Sequence, residues 1–182
     1  MPRNVEIKAR IDSVETLLSR AQALAEGPPQ RIDQDDTFFT CAHGRLKLRD
    51  FGDGSGELIH YQRADDGGPK LSDYVRAPTS DAAAMREALS RAHALIGRVR
   101  KTRLLLWVGQ TRVHLDRVEG LGDFMELEVV LRPAQTVEEG IMIAQALRAR
   151  LGVPSAQCLA GAYLDLLLAT SSTAGMAAAR KS

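Results

Sequence analysis

Four short runs of charge carry the chemistry this sequence could perform. Arg45-Leu46-Lys47-Leu48-Arg49 and Lys101-Thr102-Arg103 set cations two residues apart, and Glu126-Leu127-Glu128 spaces two carboxylates the same way. Glu6-Ile7-Lys8-Ala9-Arg10 mixes both signs. Residues two apart share one face of a strand, so each run reads as a one-sided block. Adjacent cations on one face repel and need an anion or facing carboxylates. Arginine forks and lysine ammonium groups bind phosphate oxygens. Clustered carboxylates hold Mg²⁺ or Mn²⁺ through one or two protein ligands, with substrate phosphates supplying others. A polyphosphate with its metals needs both sets of groups, whereas a simple sulfate needs only the cations. The competing reading is a half-solvated sheet with an ordinary wet face, and it weakens as same-sign blocks recur from strand to strand.

The elements that must position these blocks follow from periodicity. Asn4 to Ile11 alternates polar and apolar residues, which predicts a strand with one charged face. Asp12-Ser13-Val14-Glu15 then reads as a polar cap with a Glu three positions on, opening a helix to about Ala25, which Gly27-Pro28-Pro29 ends. Between Ile32 and Val118 the chain reads mostly as short strands: 36–41, 45–50, 57–64, 70–77, 98–108 and 111–118. A helix over 81–95, capped by Ser80, interrupts them, and Pro78 is expected to close the strand before it. An eighth strand covers 124–131. Thr136-Val137-Glu138-Glu139 is a capping box opening a helix to Leu151, and a last helix spans about 156–168. This pattern predicts an antiparallel α+β domain over residues 1–170, with a disordered tail over 171–182. Eight strands suit a closed β-barrel, which would turn the charged faces into a tunnel and pack the helices outside.

At this point the motifs resemble the CYTH superfamily, the triphosphate tunnel metalloenzymes. Asn4-Val5-Glu6-Ile7-Lys8 is similar to the family's Glu-x-Glu-x-Lys strand. The likeness continues through Gly44–Arg49, the strand ending at Arg63, Lys101–Arg103, Leu115-Asp116 and Phe124–Glu128. The resemblance implies a divalent-metal-dependent enzyme, using Mg or Mn, that acts on a small-molecule triphosphate inside the barrel. Its members include class IV adenylate cyclases, which convert ATP to cyclic AMP and pyrophosphate, and inorganic, thiamine or nucleoside triphosphatases. Gly120–Phe124 and Ser72-Asp73-Tyr74 most resemble the bacterial cyclase branch. Carried over residue by residue, Glu6, Glu126 and Glu128 become metal ligands, with Asp116 a further ligand or a group supporting them from behind. Lys8, Arg45, Lys47, Arg49, Arg63, Lys101 and Arg103 become triphosphate ligands, with Arg10 and Lys70 as additions that read better as structural. Lys8, Glu126 and Glu128 are the catalytic candidates, with Lys8 or a metal-bound hydroxide as the base. The chain departs from the family at Asn4, where Glu is usual, and an amide there weakens the metal site rather than abolishing it. The alternative is a non-catalytic nucleotide or polyphosphate binder.

Other residues read as structural. His114 shares a face with Asp116 and is expected to bond to it. Asp35-Asp36 and Asp65-Asp66 are expected as solvated turn carboxylates, Trp107 as core, and Tyr61, Tyr74 and Tyr163 as packing residues. Gly52–Gly56 lacks the Lys-Ser/Thr and the helix of a Walker loop. The 24 Lys and Arg nearly balance 23 Asp and Glu, which argues against a nucleic-acid partner. Cys41 and Cys158 form no metal-spaced pair. With no apolar run of membrane-spanning length and no signal peptide in view, the expected setting is cytoplasmic, without a membrane partner. The oligomeric state stays open, a homodimer included.

Overall fold

The computed structural model describes residues 3–63 and 72–170. The readings at Asp65-Asp66, Lys70 and the tail 171–182 lie outside them. In chain order the elements are β1 (Asn4–Arg10), α1 (Val14–Gln22), β2 (Gln30–Phe39), β3 (Arg45–Asp50), β4 (Gly56–Arg63) and β5 (Ser72–Thr79). Then follow α2 (Ala82–Ala92), β6 (Leu95–Val108), β7 (Thr111–Val118), β8 (Gly122–Val130) and α3 (Val137–Arg150). A 3₁₀ turn, Ser155–Gln157, leads to β9 (Cys158–Leu159) and to α4, residues 163–170.

All nine strands join one sheet in the order β5-β4-β3-β2-β6-β7-β8-β1-β9. The antiparallel α+β expectation stands, but the hydrogen-bonded ladder does not close into an eight-stranded barrel. Among the described residues, β5 and β9 are the two edges of the sheet. One of these edges is formed by the C-terminal segment. Two residues of β9 pair with Lys8 and Ala9 of β1, and the backbone then turns at Gly161, where φ is +98°. That left-handed conformation ends the strand and divides the helix expected over 156–168. Beyond it, α4 reaches the other half of the sheet through a side chain, Asp165, which accepts from Arg45 of β3 at 3.1 Å.

The apolar residues of β1 and β6–β8 form the core with two helices. Ala9, Leu106, Val113, Leu115, Met125 and Leu127 pack with Leu17 and Ala21 of α1 and Leu147 of α3. Gly140 lets α3 approach closely, because a Cβ there would sit 2.6 Å from Leu131 Cδ2 and 2.8 Å from Val5 Cγ2. The capping box of α3 forms as the sequence predicts, with Thr136 and Glu139 exchanging side-chain and backbone bonds. Asp81, rather than Ser80, caps α2. Pro78 lies inside β5, where an edge strand tolerates the missing N–H. Since period-two alternation sends the apolar side chains to the helices, the charged blocks are left on the opposite face.

Candidate active site

Strand register brings the charges together. On β2 and β3, Asp36 lies directly opposite Arg49, and Phe38 opposite Lys47. The Asp36 carboxylate accepts from Lys47 Nζ at 2.6 Å and from Arg49 Nε and Nη2 at 2.7 and 2.8 Å. Burial alone would push this carboxyl up, but Lys47 and Arg49 overcome it and hold it well below the usual carboxylate range. Burial pushes the Lys47 ammonium down to about 8, against the pull of Asp36.

The second cluster spans β6, β7, β8 and β1. Arg103 lies opposite Asp116 and grips it with two bonds of 2.6 Å. Its Nη2 also reaches Glu126 Oε2 at 2.6 Å. Lys101 Nζ donates to Asp116 at 3.0 Å, and Lys8 lies 3.0 Å from Glu126. Burial would raise the Asp116 and Glu126 carboxyls, yet Lys101 and Arg103 at one, and Lys8 and Arg103 at the other, lower both. Lys101 also contributes to holding Asp36 ionised, so the two clusters share one electrostatic environment. Five cations (Lys8, Lys47, Arg49, Lys101 and Arg103) thus face three carboxylates (Asp36, Asp116 and Glu126).

Glu6 and Glu128 are directly opposed across β1 and β8. Glu128 accepts from Arg112 at 2.6 Å and from the Asn4 amide. The amide donor thereby sits where a carboxylate would repel its neighbour. His114 does not pair with Asp116 as the sequence suggests. It faces β8, with Nδ1 3.6 Å from Glu126 and Nε2 3.9 Å from Glu128. Burial, followed by the nearby Arg103, pushes its imidazolium down. Arg45 belongs to the α4 end of the face through Asp165. Arg63 is placed by its backbone at the end of β4, opposite Ser72. Arg10 is structural, donating to the Leu121 carbonyl at 2.7 Å and lying over the Phe124 ring.

Three side chains have roles the sequence reading missed. Asp36 is a buried counter-ion on a strand; the signal was the alternation Gln34-x-Asp36-x-Phe38, which puts it on the face opposite Arg49. Tyr163 of α4 covers the cluster, donating to Asp116 at 3.0 Å, with Lys8 and Lys101 at 4.1 and 4.9 Å from its ring centre. Trp107 is 43% exposed, not core. A cavity of about 530 Å³ lined by Asp33, Asp35, Arg100 and Glu119 borders the cluster at Gln34 and Lys101. Its charges are already paired, Arg100 with Asp35 at 3.4 Å and with Glu119 at 3.6 Å, and Asp33 with Arg31 at 3.1 Å.

The donor chemistry suits a hard divalent cation. Glu6, Glu126 and Glu128 share the charged face, all with oxygen donors. Among the described residues no three carboxylates, histidines or cysteines are gathered closely enough for an all-protein cage. A magnesium-type ion does not require one, since it keeps water and takes phosphate oxygens beside one or two carboxylates.

Residues 2–163 match the family model described as CYTH domain. The chain belongs to the CYTH family. Proteins of this family act on triphosphate substrates and are generally dependent on a divalent metal. Solved structures share the CYTH fold at low identity. PH1012 from Pyrococcus horikoshii OT3 is 22% identical with a TM-score of 0.79, over 90% of this chain and 98% of that one. A candidate adenylate cyclase from Vibrio parahaemolyticus is 17% identical with a TM-score of 0.72, over 91% and 97%. HpAC1 from Hippeastrum, described as a candidate adenylyl cyclase with a dominant triphosphatase activity, is 17% identical with a TM-score of 0.64, over 85% and 89%. A search of curated proteins finds no match. No helix among the described residues is long and apolar enough to cross a membrane.

Proposed function

We propose that this CYTH protein is a divalent-metal-dependent enzyme that acts on a triphosphate held against the charged face, in the cytoplasm. The observation that carries the reading is the clustering of five buried or nearly buried cations, Lys8, Lys47, Arg49, Lys101 and Arg103, around Asp36, Asp116 and Glu126 on one side of the sheet. Clustered arginine and lysine donors of this kind match the oxygens of a polyanion. The two sheet halves, with α4 between them, form the walls of the triphosphate tunnel.

Lys8, Lys47, Arg49, Lys101 and Arg103 hold the phosphates, with Arg45 and Arg63 at the flanks. Glu6, Glu126 and Glu128 would hold Mg²⁺ or Mn²⁺, with Asp116 behind them, positioning Lys101 and Arg103. Such a metal, when bound, would supply charge neutralisation on the phosphate oxygens and activation of the attacking oxygen. Phosphoryl transfer leaves the protein mainly positioning and electrostatics to provide, and this face provides both. If a ribose 3′-hydroxyl is held at the α-phosphate, ATP cyclises and pyrophosphate leaves. If water reaches the terminal phosphate, the triphosphate is hydrolysed. The Asn4 amide on Glu128 favours a second reading, a binder without turnover, because it ties down one metal carboxylate.

The deciding experiment incubates the protein with ATP, inorganic triphosphate and thiamine triphosphate in Mg²⁺ or Mn²⁺, and reads cyclic nucleotide and free phosphate. Turnover with either metal, lost in Glu126→Gln and in Glu128→Gln, is the expected result. Binding without turnover selects the second reading. No binding of any triphosphate refutes both.

A further inference from the structure

Trp107 is poised at the open end of the charged face. Its neighbours Leu104, Leu106 and Val108 pack into the helix-covered core or against it. Alternation therefore sends Leu105 and Trp107 to the other face, in line with Lys101 and Arg103. From Arg103 to Trp107 is four residues, about 13 Å along a strand. That is comparable to the reach of a triphosphate chain with its sugar. Opposite Trp107 in register is Arg112, whose guanidinium lies 5.7 Å from the indole centre and pairs with Glu128. The platform is held from behind. The Trp107 carbonyl accepts from Glu26 N at 3.0 Å, and Gly109 N donates to Glu26 Oε1 at 3.0 Å.

The two ends of the face differ in chemistry. At the Asp116 end, α4 lies across the strands, with Tyr163 on Asp116, Lys8 and Lys101. At the Arg112 end lie Asn4, Glu128 and a tryptophan that is 43% exposed. The indole keeps part of its apolar surface in water while Arg112 lies over its ring. A flat aromatic ring would cover it.

We infer that Trp107, backed by Arg112, is the stacking platform for the organic end of the substrate, so that the preferred ligand is a triphosphate ester bearing an aromatic ring rather than inorganic triphosphate. This rests on the triphosphate reading above. The phosphates lie toward Arg103 and Lys101, and the ring leaves past Trp107 because α4 covers the other end. Nucleoside and thiamine triphosphates share this chemistry, and the test separates them.

Trp107 is the chain's single tryptophan, so its fluorescence reports this position alone. ATP or thiamine triphosphate should change the emission saturably, and saturating inorganic triphosphate should change it much less. Trp107→Ala should raise KM for the aromatic ester about tenfold, as loss of one stacked base does, with KM for inorganic triphosphate unchanged. Trp107→Phe should restore most of the loss. If the protein binds without turnover, Kd from equilibrium dialysis replaces KM. The ester showing the larger Trp107→Ala effect identifies the ring. Equal effects on ester and inorganic triphosphate, or none on either ester, overturn this inference while leaving the triphosphate reading intact. Wild-type protein that binds no triphosphate at all overturns both.

Discussion

Replacing Asp36 by Asn tests whether the cation block of β3 is held together by one buried carboxylate. Asp36 is 4% exposed and accepts three charge-assisted bonds, of 2.6, 2.7 and 2.8 Å. An amide keeps one acceptor oxygen and turns an NH₂ toward a cation, so it can satisfy only part of that set. Removing one partner of a buried ion pair costs about 3–5 kcal/mol. The low end applies here, because Lys47 is 14% and Arg49 16% exposed in their side chains and keep some access to water. At about 2–4 °C per kcal/mol for a chain of this size, a loss near 3 kcal/mol lowers Tm by roughly 6–12 °C. The same change removes one of the buried carboxylates these cations face, so the face becomes a stronger anion site. Inorganic triphosphate at about 100 times its Kd adds about 2.7 kcal/mol to a folded state that alone binds it, and the gain at a fixed concentration should be larger in the variant. The assay is thermal and urea unfolding of both proteins, without divalent metal, with and without inorganic triphosphate. A variant as stable as wild type would refute Asp36 as the counter-ion. A stable complex with triphosphate in wild type but none in Asp36→Asn would refute the charge argument, because neutralising a carboxylate should strengthen that complex.

Two other outcomes follow from the same face. In the free protein the Lys47 ammonium loses its proton as pH rises through about 8, whereas bound phosphate oxygens retain it. Triphosphate affinity is therefore full below that pH and weakens above it, and Lys47→Arg should flatten the profile; an unchanged slope in Kd against pH would sink the assignment. Tyr163→Phe keeps the ring near Lys8 and Lys101 but removes the donor to Asp116. It should cost about 2 kcal/mol, as for a bond to a charged group, and an unmoved urea midpoint would show that the bond contributes nothing.

The charged strand faces were legible because alternation is local. Arg45, Lys47 and Arg49, or Glu126 and Glu128, lie on one side whatever the rest of the chain does. The α3 cap was legible for the same reason, since Thr136 and Glu139 are three residues apart and complete their bonds without help. Asp36 was misread because two neighbouring acids look like a turn until the strand through them is known to start at Gln30. Trp107 was misread because a large aromatic side chain in an apolar run resembles core. Only the side on which Leu106 and Val108 pack reveals which way it points. The helix expected over 156–168 was misread, because a short ninth strand and a left-handed turn at Gly161 interrupt a segment whose apolar spacing alone supports a helix.

Amino-acid order alone thus determined which side chains could share a face, how the long helix starts, and that cations would outnumber nearby acids on some strands. It could not say which acid meets which base. Lys8 and Glu126 are joined by the pairing of β1 with β8, and Tyr163 reaches Asp116 only because α4 folds back over the sheet. Those contacts depend on register and on the path of remote segments, and burial then sets their strength by removing the water that would otherwise screen each charge.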